Sequence, residues 1–200
     1  MDLHRSMNRR LGTIIVLNGA SSAGKTSLLE ALQVALPSPF LHAGLDKFLW
    51  MLPSRYRRAP LWNEVLGQAT RAGAEGHRLV ESMHHAMAAL ARSGSNVVAD
   101  HVLIEPGWLP HCTEVLQGPP TLFVGVVCPL VVLEERERAR KDRTLGQAKL
   151  QHDLVHRDAR YDIVIDTSKL SPEHGAAAVA QHLAAVGPNL RFNSGARSAA

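Results

Sequence analysis

Five short runs of aliphatic and β-branched residues alternate along the chain with longer segments in which apolar positions recur every three or four residues. Several of the short runs are nearly continuous in Val, Ile and Leu, as is typical of parallel strands covered on both faces. The predicted strands are Thr13–Asn18, Phe40–Ala43, Asn96–Leu103, Thr121–Val127 and Tyr161–Asp166. The alternation of strand and helix predicts an α/β fold, in which a five-stranded parallel sheet carries helices on both faces.

The longer segments have the periodicity of amphipathic helices. In the segment before the third strand, one face collects Leu79, Val80, Met83, Met87 and Leu90. The predicted helices are Lys25–Ala35, Gly76–Arg92, Pro106–Leu116, Leu130–Lys141 and Pro172–Ala185. Residues 49–76 are less regular and predict an insertion over the site. Residues 187–200 are rich in Gly, Ser, Asn and Ala, and predict a loose tail after a single domain of residues 1–186.

The most informative segment follows the first strand, where residues 19–26 match the pattern G-x-x-x-x-G-K-[ST]. Its glycines let the backbone wrap closely around an anion, and the N–H groups of the turn and of the following helix face that anion. The Lys25 ammonium is expected to reach the β and γ phosphates, and the Thr26 hydroxyl to ligate Mg²⁺. The predicted nucleotide-binding residues are Gly19, Ala20, Ser21, Ser22, Ala23, Gly24, Lys25, Thr26 and Ser27. The motif indicates a nucleotide but not a reaction, because ATPases, GTPases and kinases share it.

Asp46 follows the second predicted strand and Asp100 ends the apolar run Asn96–Asp100, at the edge where reactive groups collect in an open parallel sheet. Asp46 could accept the proton of a substrate hydroxyl as it attacks the γ-phosphorus. It could also cap a helix that begins at Lys47, and the two roles are compatible. Asp100 could hold Mg²⁺ through water or bind a substrate hydroxyl. His101 beside it could join the site, although a lone histidine is more often structural.

A basic run follows the fourth strand. Arg136, Arg140 and Arg143 share one helix face by i,i+4 and i,i+3 spacing. One interpretation is a solvated helix, with the glutamates of the same run as ion-pair partners. The other is a lid over residues 136–150, whose guanidinium groups close on the triphosphate and offset the charge of the transferred group. The turn at Asp142–Gly146 is typical of a hinge and favours the lid.

Composition restricts the function classes. Of the 200 residues, 46% are hydrophobic, and 22 Lys and Arg against 18 Asp and Glu give a net charge of +4, a balance typical of a globular domain. This charge suits a site for anionic ligands such as phosphates. It is low for a nucleic-acid binder, and an aromatic content of 4% leaves few platforms for base stacking. Cys112 and Cys128 form no C-x-x-C pair, which indicates a reducing compartment and gives no zinc signature.

The start of the chain has the basic-then-apolar order of a signal peptide, since Arg5, Arg9 and Arg10 precede the apolar run 11–17. That run is short and leads into a glycine-rich turn without a cleavage-like site, so it predicts a buried strand. No segment approaches the ~18 uninterrupted apolar residues of a membrane helix. We expect a cytoplasmic protein with no membrane and no nucleic-acid partner. The sequence is compatible with a homo-oligomer.

A resemblance to a known family rests on five segments: Leu17–Thr26, Gly44–Asp46, Val97–Asp100, Arg140–Arg143 and Tyr161–Thr167. They are similar to the chloramphenicol phosphotransferase family of P-loop kinases, over most of residues 13–185. The resemblance implies a three-layer P-loop kinase fold with an arginine lid, and transfer of the γ-phosphate of ATP to an antibiotic hydroxyl. It also implies that Asp46 is the catalytic base. The lid would consist of Arg136, Arg140 and Arg143.

Three functions follow from these observations. The first is an ATP- and Mg²⁺-dependent phosphotransferase acting on a hydroxyl of a natural-product antibiotic, chloramphenicol-like or nucleoside-type, with Asp46 and Asp100 at the substrate. The second is a metabolic small-molecule or nucleotide kinase, in which a second basic patch, Arg55, Arg57 and Arg58, binds an anionic acceptor. The third is a nucleotide-binding switch without transfer, although the chain lacks the N-K-x-D pattern of guanine recognition.

Overall fold

The computed structural model contains a five-stranded sheet in which each strand is parallel to its neighbours. The residues that it describes are 10–58, 60–61, 65–66, 71–139, 146–187 and 190. The strands are β1 (Ile14–Asn18), β2 (Phe40–His42), β3 (Asn96–His101), β4 (Thr121–Val127) and β5 (Ile163–Asp166). Their order is β2-β3-β1-β4-β5, which confirms the predicted α/β fold with a parallel sheet.

Seven α-helices lie in the described part of the chain. They are α1 (Lys25–Ala35), α2 (Leu45–Met51), α3 (Ala74–Arg92), α4 (Trp108–Val115), α5 (Leu130–Ala139), α6 (Gln147–His152) and α7 (Pro172–Val186). A 3₁₀ turn at Ser54–Arg57 follows α2. Helices α1 and α7 pack on one face of the sheet, and α3 and α4 on the other, so the predicted three layers are confirmed.

The central strand β1 is buried over its whole length and joins the two halves of the core. Its side chains alternate between the faces of the sheet, as the pleat of a strand requires. Ile15 and Leu17 pack beneath α1 and α7, whereas Ile14 and Val16 pack beneath α3 and α4. Burial of such a side chain stabilises the fold by about 1.5–3 kcal/mol. The buried strand therefore fixes the position at which the segment after β1 begins.

The boundaries differ from the prediction mainly where elements are short. Neither α2 nor α6 is among the helices predicted from periodicity, because helices of 7 and 6 residues have too few turns to show a period. The start of α7 was predicted correctly, since Ser171 accepts a hydrogen bond from the His174 N–H at 3.3 Å and a proline opens the helix.

No described helix combines the length and apolar character that a membrane span requires. Within the predicted tail, Leu190 is buried in the core, and residues 188–189 and 191–200 lie outside the described residues.

A chain of three histidines runs through the layer formed by α3 and α4. The Val102 N–H donates to His101 Nδ1 at 2.7 Å, so the other ring nitrogen of His101 carries the proton. That Nε2 lies 2.9 Å from His84 Nε2, and His84 Nδ1 lies 2.8 Å from His111 Nδ1. The backbone donor thereby fixes the tautomers of His101 and His84, and both rings are neutral. His101 is thus bound to α3 and its ring has a structural role.

The neutral histidines make stability depend on pH. Burial lowers the pKa of His84 to about 2 and that of His101 to about 3. In the unfolded chain both rings are protonated below about pH 6.5. In the folded protein they stay neutral until the pH nears 3. We expect the free energy of unfolding to fall by about 1.4 kcal/mol per pH unit for each histidine as the pH drops from 6 to 4. Urea titrations at pH 7, 6 and 5 measure this, and equal midpoints at pH 6 and 5 would contradict it.

Candidate active site

The phosphate-binding loop joins the carboxyl end of β1 to the start of α1. Two of its residues have a left-handed backbone, Ser22 with φ 63° and Gly24 with φ 83°. Glycine adopts this conformation without steric cost, whereas a serine adopts it only where its surroundings enforce it. The first bond of α1 runs from the Leu28 N–H to the Gly24 carbonyl at 3.0 Å. The preceding amides therefore point out of the helix end into the loop, where the helix dipole favours an anion.

Side chains of the loop complete a set of donors for phosphate. The Lys25 Nζ donates to the carbonyl oxygens of Gly19 at 2.8 Å and Ala20 at 2.7 Å, and so closes the loop. The hydroxyls of Ser21 and Ser22 are buried and have no hydrogen-bond partner among the described residues. Such hydroxyls cost free energy until a ligand or water satisfies them. An ammonium, a row of amides and two buried hydroxyls fit the phosphates of a nucleotide.

Oxygen ligands for a hard cation lie beside the loop. Thr26 Oγ1 lies 3.5 Å from Asp100 Oδ2, and His42 Nε2 lies 3.1 Å from Asp100 Oδ1. Burial alone would raise the pKa of Asp100, but the hydrogen bond from His42 and the charge of Lys25 outweigh it and hold the pKa below its ordinary value. Asp100 is therefore a carboxylate at neutral pH. One of its oxygens is held by His42 and the other lies toward Thr26.

Asp46 lies in the first turn of α2, where it is exposed. The alternative that it caps a helix beginning at Lys47 is wrong, because α2 begins at Leu45 and Gly44 occupies the N-cap position. A Cβ on Gly44 would overlap Asp100 Oδ1, so glycine lets the backbone pass directly against that carboxylate. The start of α2, and with it Asp46, is thereby held next to the oxygens that could bind a cation.

A cleft of about 330 Å³ opens beside the loop, within the roughly 300–1,000 Å³ of small-molecule sites. One wall is a hydrogen-bonded chain of three residues. Thr167 Oγ1 donates to the Ala23 carbonyl at 2.8 Å, and the Arg136 guanidinium donates to the Thr167 hydroxyl at 3.0 Å and to its carbonyl at 2.8 Å. Apolar lining comes from Leu28, Ile165, Leu170 and Pro172. A partly apolar cleft next to a phosphate site suits the nucleoside part of a nucleotide.

Of the three arginines predicted to form the lid, the described residues include Arg136. It is half-buried and bound to Thr167 on the wall of the cleft. Arg140 and Arg143 lie outside the described residues, so their role stays a prediction. The interpretation of the neighbouring glutamates as surface ion-pair partners is wrong for Glu137, which is buried and accepts two backbone N–H groups at the start of α6.

The second basic patch lies on the insertion after α2. The Arg57 guanidinium lies 4.3 Å from the centroid of the Trp50 ring, and that of Arg55 lies 5.2 Å from the Tyr56 ring. Arg58 is exposed. The cation–π contacts engage two of the three arginines within the insertion itself. This arrangement favours a local structural role over recognition of an anionic acceptor.

Three polar contacts of the site were not predicted. His42 is bound to Asp100, Thr167 to the Ala23 carbonyl, and Gln151 on α6 to the loop amide of Ser21. The position of His42 could have indicated its role, because it ends β2 at the edge where reactive groups collect. The contacts of Thr167 and Gln151 come from residues more than 120 positions away in sequence, and no local pattern marks them.

The fold is that of P-loop kinases, and the family match identifies the enzyme as a phosphotransferase. The chain belongs to the chloramphenicol phosphotransferase-like protein family, whose model matches residues 12–184. Two relatives, from two strains of Mycobacterium tuberculosis and provisionally named O-phosphotransferases, are each 32% identical to it over 179 residues. The match covers 83% of this chain and 79% of each relative.

Solved structures show the same fold. A sugar kinase from Janibacter sp. superposes with a TM-score of 0.65 at 19% identity, covering 90% of this chain and 98% of its own. The tunicamycin resistance protein of Deinococcus radiodurans gives 0.62 at 19% identity over 90% and 98%. The Mycobacterium tuberculosis APS kinase, solved with AMPPNP and APS, gives 0.59 at 16% identity over 87% and 98%. At these identities the likeness concerns the fold.

Proposed function

We propose that this protein transfers the γ-phosphate of ATP to a hydroxyl of a small natural-product antibiotic, chloramphenicol-like or nucleoside-type, and thereby inactivates it. The observation that supports this proposal most directly is the juxtaposition of Lys25 and its loop with Asp100 and the start of α2. Groups that could hydrogen-bond to phosphate, oxygens that could bind a cation and the helix turn that carries Asp46 thus lie at one edge of the sheet. Since ATP is supplied in the cytoplasm, we place the enzyme there.

Lys25, the loop amides and the two orphaned serine hydroxyls would hold the phosphates of ATP. Lys25 would exchange at least one of its carbonyl bonds for a phosphate oxygen. The nucleoside would lie in the cleft between Gly24 and Thr167. Mg²⁺, when bound, would neutralise charge on the phosphates as the phosphoryl group transfers. Thr26 and Asp100 are the residues that fit it, because Mg²⁺ takes few protein oxygens beside those of the phosphates.

Asp46 would orient the acceptor hydroxyl and remove its proton. Its exposure lets the acceptor approach from solvent and lets the proton leave after transfer. Arg136 holds the wall of the cleft, and Arg140 and Arg143 would offset the charge of the transferred group. Water has to be excluded as they close, since otherwise the site would hydrolyse ATP.

The metal role of Asp100 predicts a change in magnesium dependence. Asp100→Asn keeps the shape of the side chain and a partner for His42 but removes the negative charge. We expect about tenfold more free Mg²⁺ to be needed for half-maximal ATP turnover. A magnesium titration of initial rates measures it, with the exposed Asp153→Asn as a matched control. Wild-type magnesium dependence in Asp100→Asn would remove Asp100 from the metal site.

The acceptor can be identified by incubating the protein with MgATP and pools of hydroxylated antibiotics and small metabolites. We expect mass spectrometry to detect one added phosphoryl group on an antibiotic, with an equal amount of ADP. Transfer only to an anionic metabolite would favour the metabolic kinase. Binding of ATP without transfer to any compound, together with slow hydrolysis, would favour the nucleotide switch and contradict the proposal.

A further inference from the structure

Gln151 joins the short helix α6 to the phosphate-binding loop. Its side chain is buried, with 3% of the residue exposed. The Oε1 atom accepts a hydrogen bond from the backbone N–H of Ser21 at 2.7 Å. Ser21 directly precedes Ser22, the residue that holds a left-handed conformation without being glycine. A side chain from a distant element therefore contacts the loop backbone directly beside its left-handed serine.

The position of Gln151 is fixed from both ends of α6. At the start of the helix, the buried carboxylate of Glu137 accepts the N–H groups of Gly146 at 2.7 Å and Ala148 at 2.9 Å, and so ties α6 to α5. After its end, the Val155 carbonyl accepts a bond at 2.7 Å from the Nδ2 of Asn18, the last residue of β1. Helix α6 is thus attached to the strand from which the loop departs. The position of Gln151 is therefore set by contacts of α6 with α5 and β1, and not by its contact with the loop.

We propose that Gln151 is a positioning residue for phosphate binding, which keeps the loop in its binding shape before the nucleotide arrives. This inference rests on the proposed function. By accepting the Ser21 N–H, Gln151 directs that amide toward α6 and leaves the amides at the start of α1 for the phosphates. Preorganisation of this kind raises affinity, because less conformational freedom is lost on binding.

The chemistry of the amide group suits this position. A glutamine oxygen accepts the backbone bond as a carboxylate would, but it carries no charge. A negative charge at the same point would repel the phosphates, while an apolar side chain would leave the Ser21 amide buried without an acceptor. Glutamine avoids both effects.

Calorimetric titration with MgATP tests the inference without needing the acceptor. We expect Gln151→Met to raise the Kd for MgATP about tenfold, the effect of one lost hydrogen bond. Gln151→Glu retains the acceptor but buries a carboxyl group, so it should be less stable than the wild type. Where that carboxyl is ionised, it should raise the Kd at least as much as Gln151→Met, and more strongly at low salt. The same change at a half-buried residue of the same helix, Gln147→Met, should leave the Kd within about twofold.

Amide hydrogen exchange of the nucleotide-free protein gives a second readout. Protection of the Ser21 N–H should fall about tenfold or more in Gln151→Met and persist in Gln147→Met. A Gln151→Met protein with lowered thermal stability but an unchanged Kd would show a merely structural role and overturn the inference, as would an equally protected Ser21 amide. If the wild type binds no MgATP, the proposed function fails as well. If the wild type binds MgATP and Gln151→Met leaves the Kd unchanged, only this inference fails.

Discussion

Replacement of Lys25 by alanine is expected to abolish most phosphate transfer. The ammonium is buried, closes the loop through the Gly19 and Ala20 carbonyls and lies where the phosphates would bind. Charge-assisted bonds to phosphate are worth roughly twice a neutral bond, so a loss of at least about 100-fold in kcat/KM for ATP, about 3 kcal/mol, is expected. Initial rates at several ATP concentrations measure it.

A matched control separates the role of this ammonium from general loss of positive charge. Lys149→Ala removes an exposed lysine on α6 and should keep wild-type rates. Lys25→Arg keeps the charge, but a planar guanidinium cannot take the place of an ammonium between two carbonyls, so it should also be impaired. Turnover by Lys25→Ala within a few-fold of the wild type would discredit the loop as the phosphate site.

Replacement of Asp46 by asparagine is expected to separate binding from chemistry. Asparagine can still orient a hydroxyl, but it cannot take up its proton. We expect kcat to fall about 10²–10⁴-fold, the usual contribution of a general base, while the Kd for MgATP changes less than about twofold. Single-turnover transfer and calorimetry, made on the same preparation, measure the two quantities.

Asp46 is exposed, so an asparagine of the same shape should leave the packing of the core unchanged. Asp153→Asn, another exposed aspartate, serves as the control for loss of one negative charge. Transfer by Asp46→Asn within a few-fold of the wild type would remove Asp46 as the base. Loss of ATP binding together with transfer would instead assign it to the nucleotide site.

The centre of the sheet was predictable because β1, β3 and β4 are buried on both faces. β1 and its neighbours read as continuous aliphatic runs, and the phosphate-binding loop follows β1 with fixed spacing, so both could be read along the chain. The Asp46 and Asp100 positions followed from the rule that reactive groups gather at the carboxyl ends of parallel strands. These inferences needed only neighbouring residues and general rules of topology.

The remaining parts of the site depend on contacts between distant segments. Gly44 is required because the Asp100 side chain packs against its backbone, which no glycine pattern reveals. Glu137 reads as a surface residue within a charged run, yet it is buried because the start of α6 folds onto it. His101 reads as a neighbour of the site, but its ring is turned into a chain of histidines on the opposite layer. In each case tertiary packing decided the role.

The loop of residues 19–26 is expected to bind the phosphates of ATP for transfer. Calorimetric titration of the pure wild-type protein with ATP in the presence of Mg²⁺ tests it most directly. We predict saturable binding of one ATP per chain, which Lys25→Ala abolishes and Asp46→Asn leaves intact. No heat of binding with either ATP or GTP, in a protein shown to be folded, would contradict it.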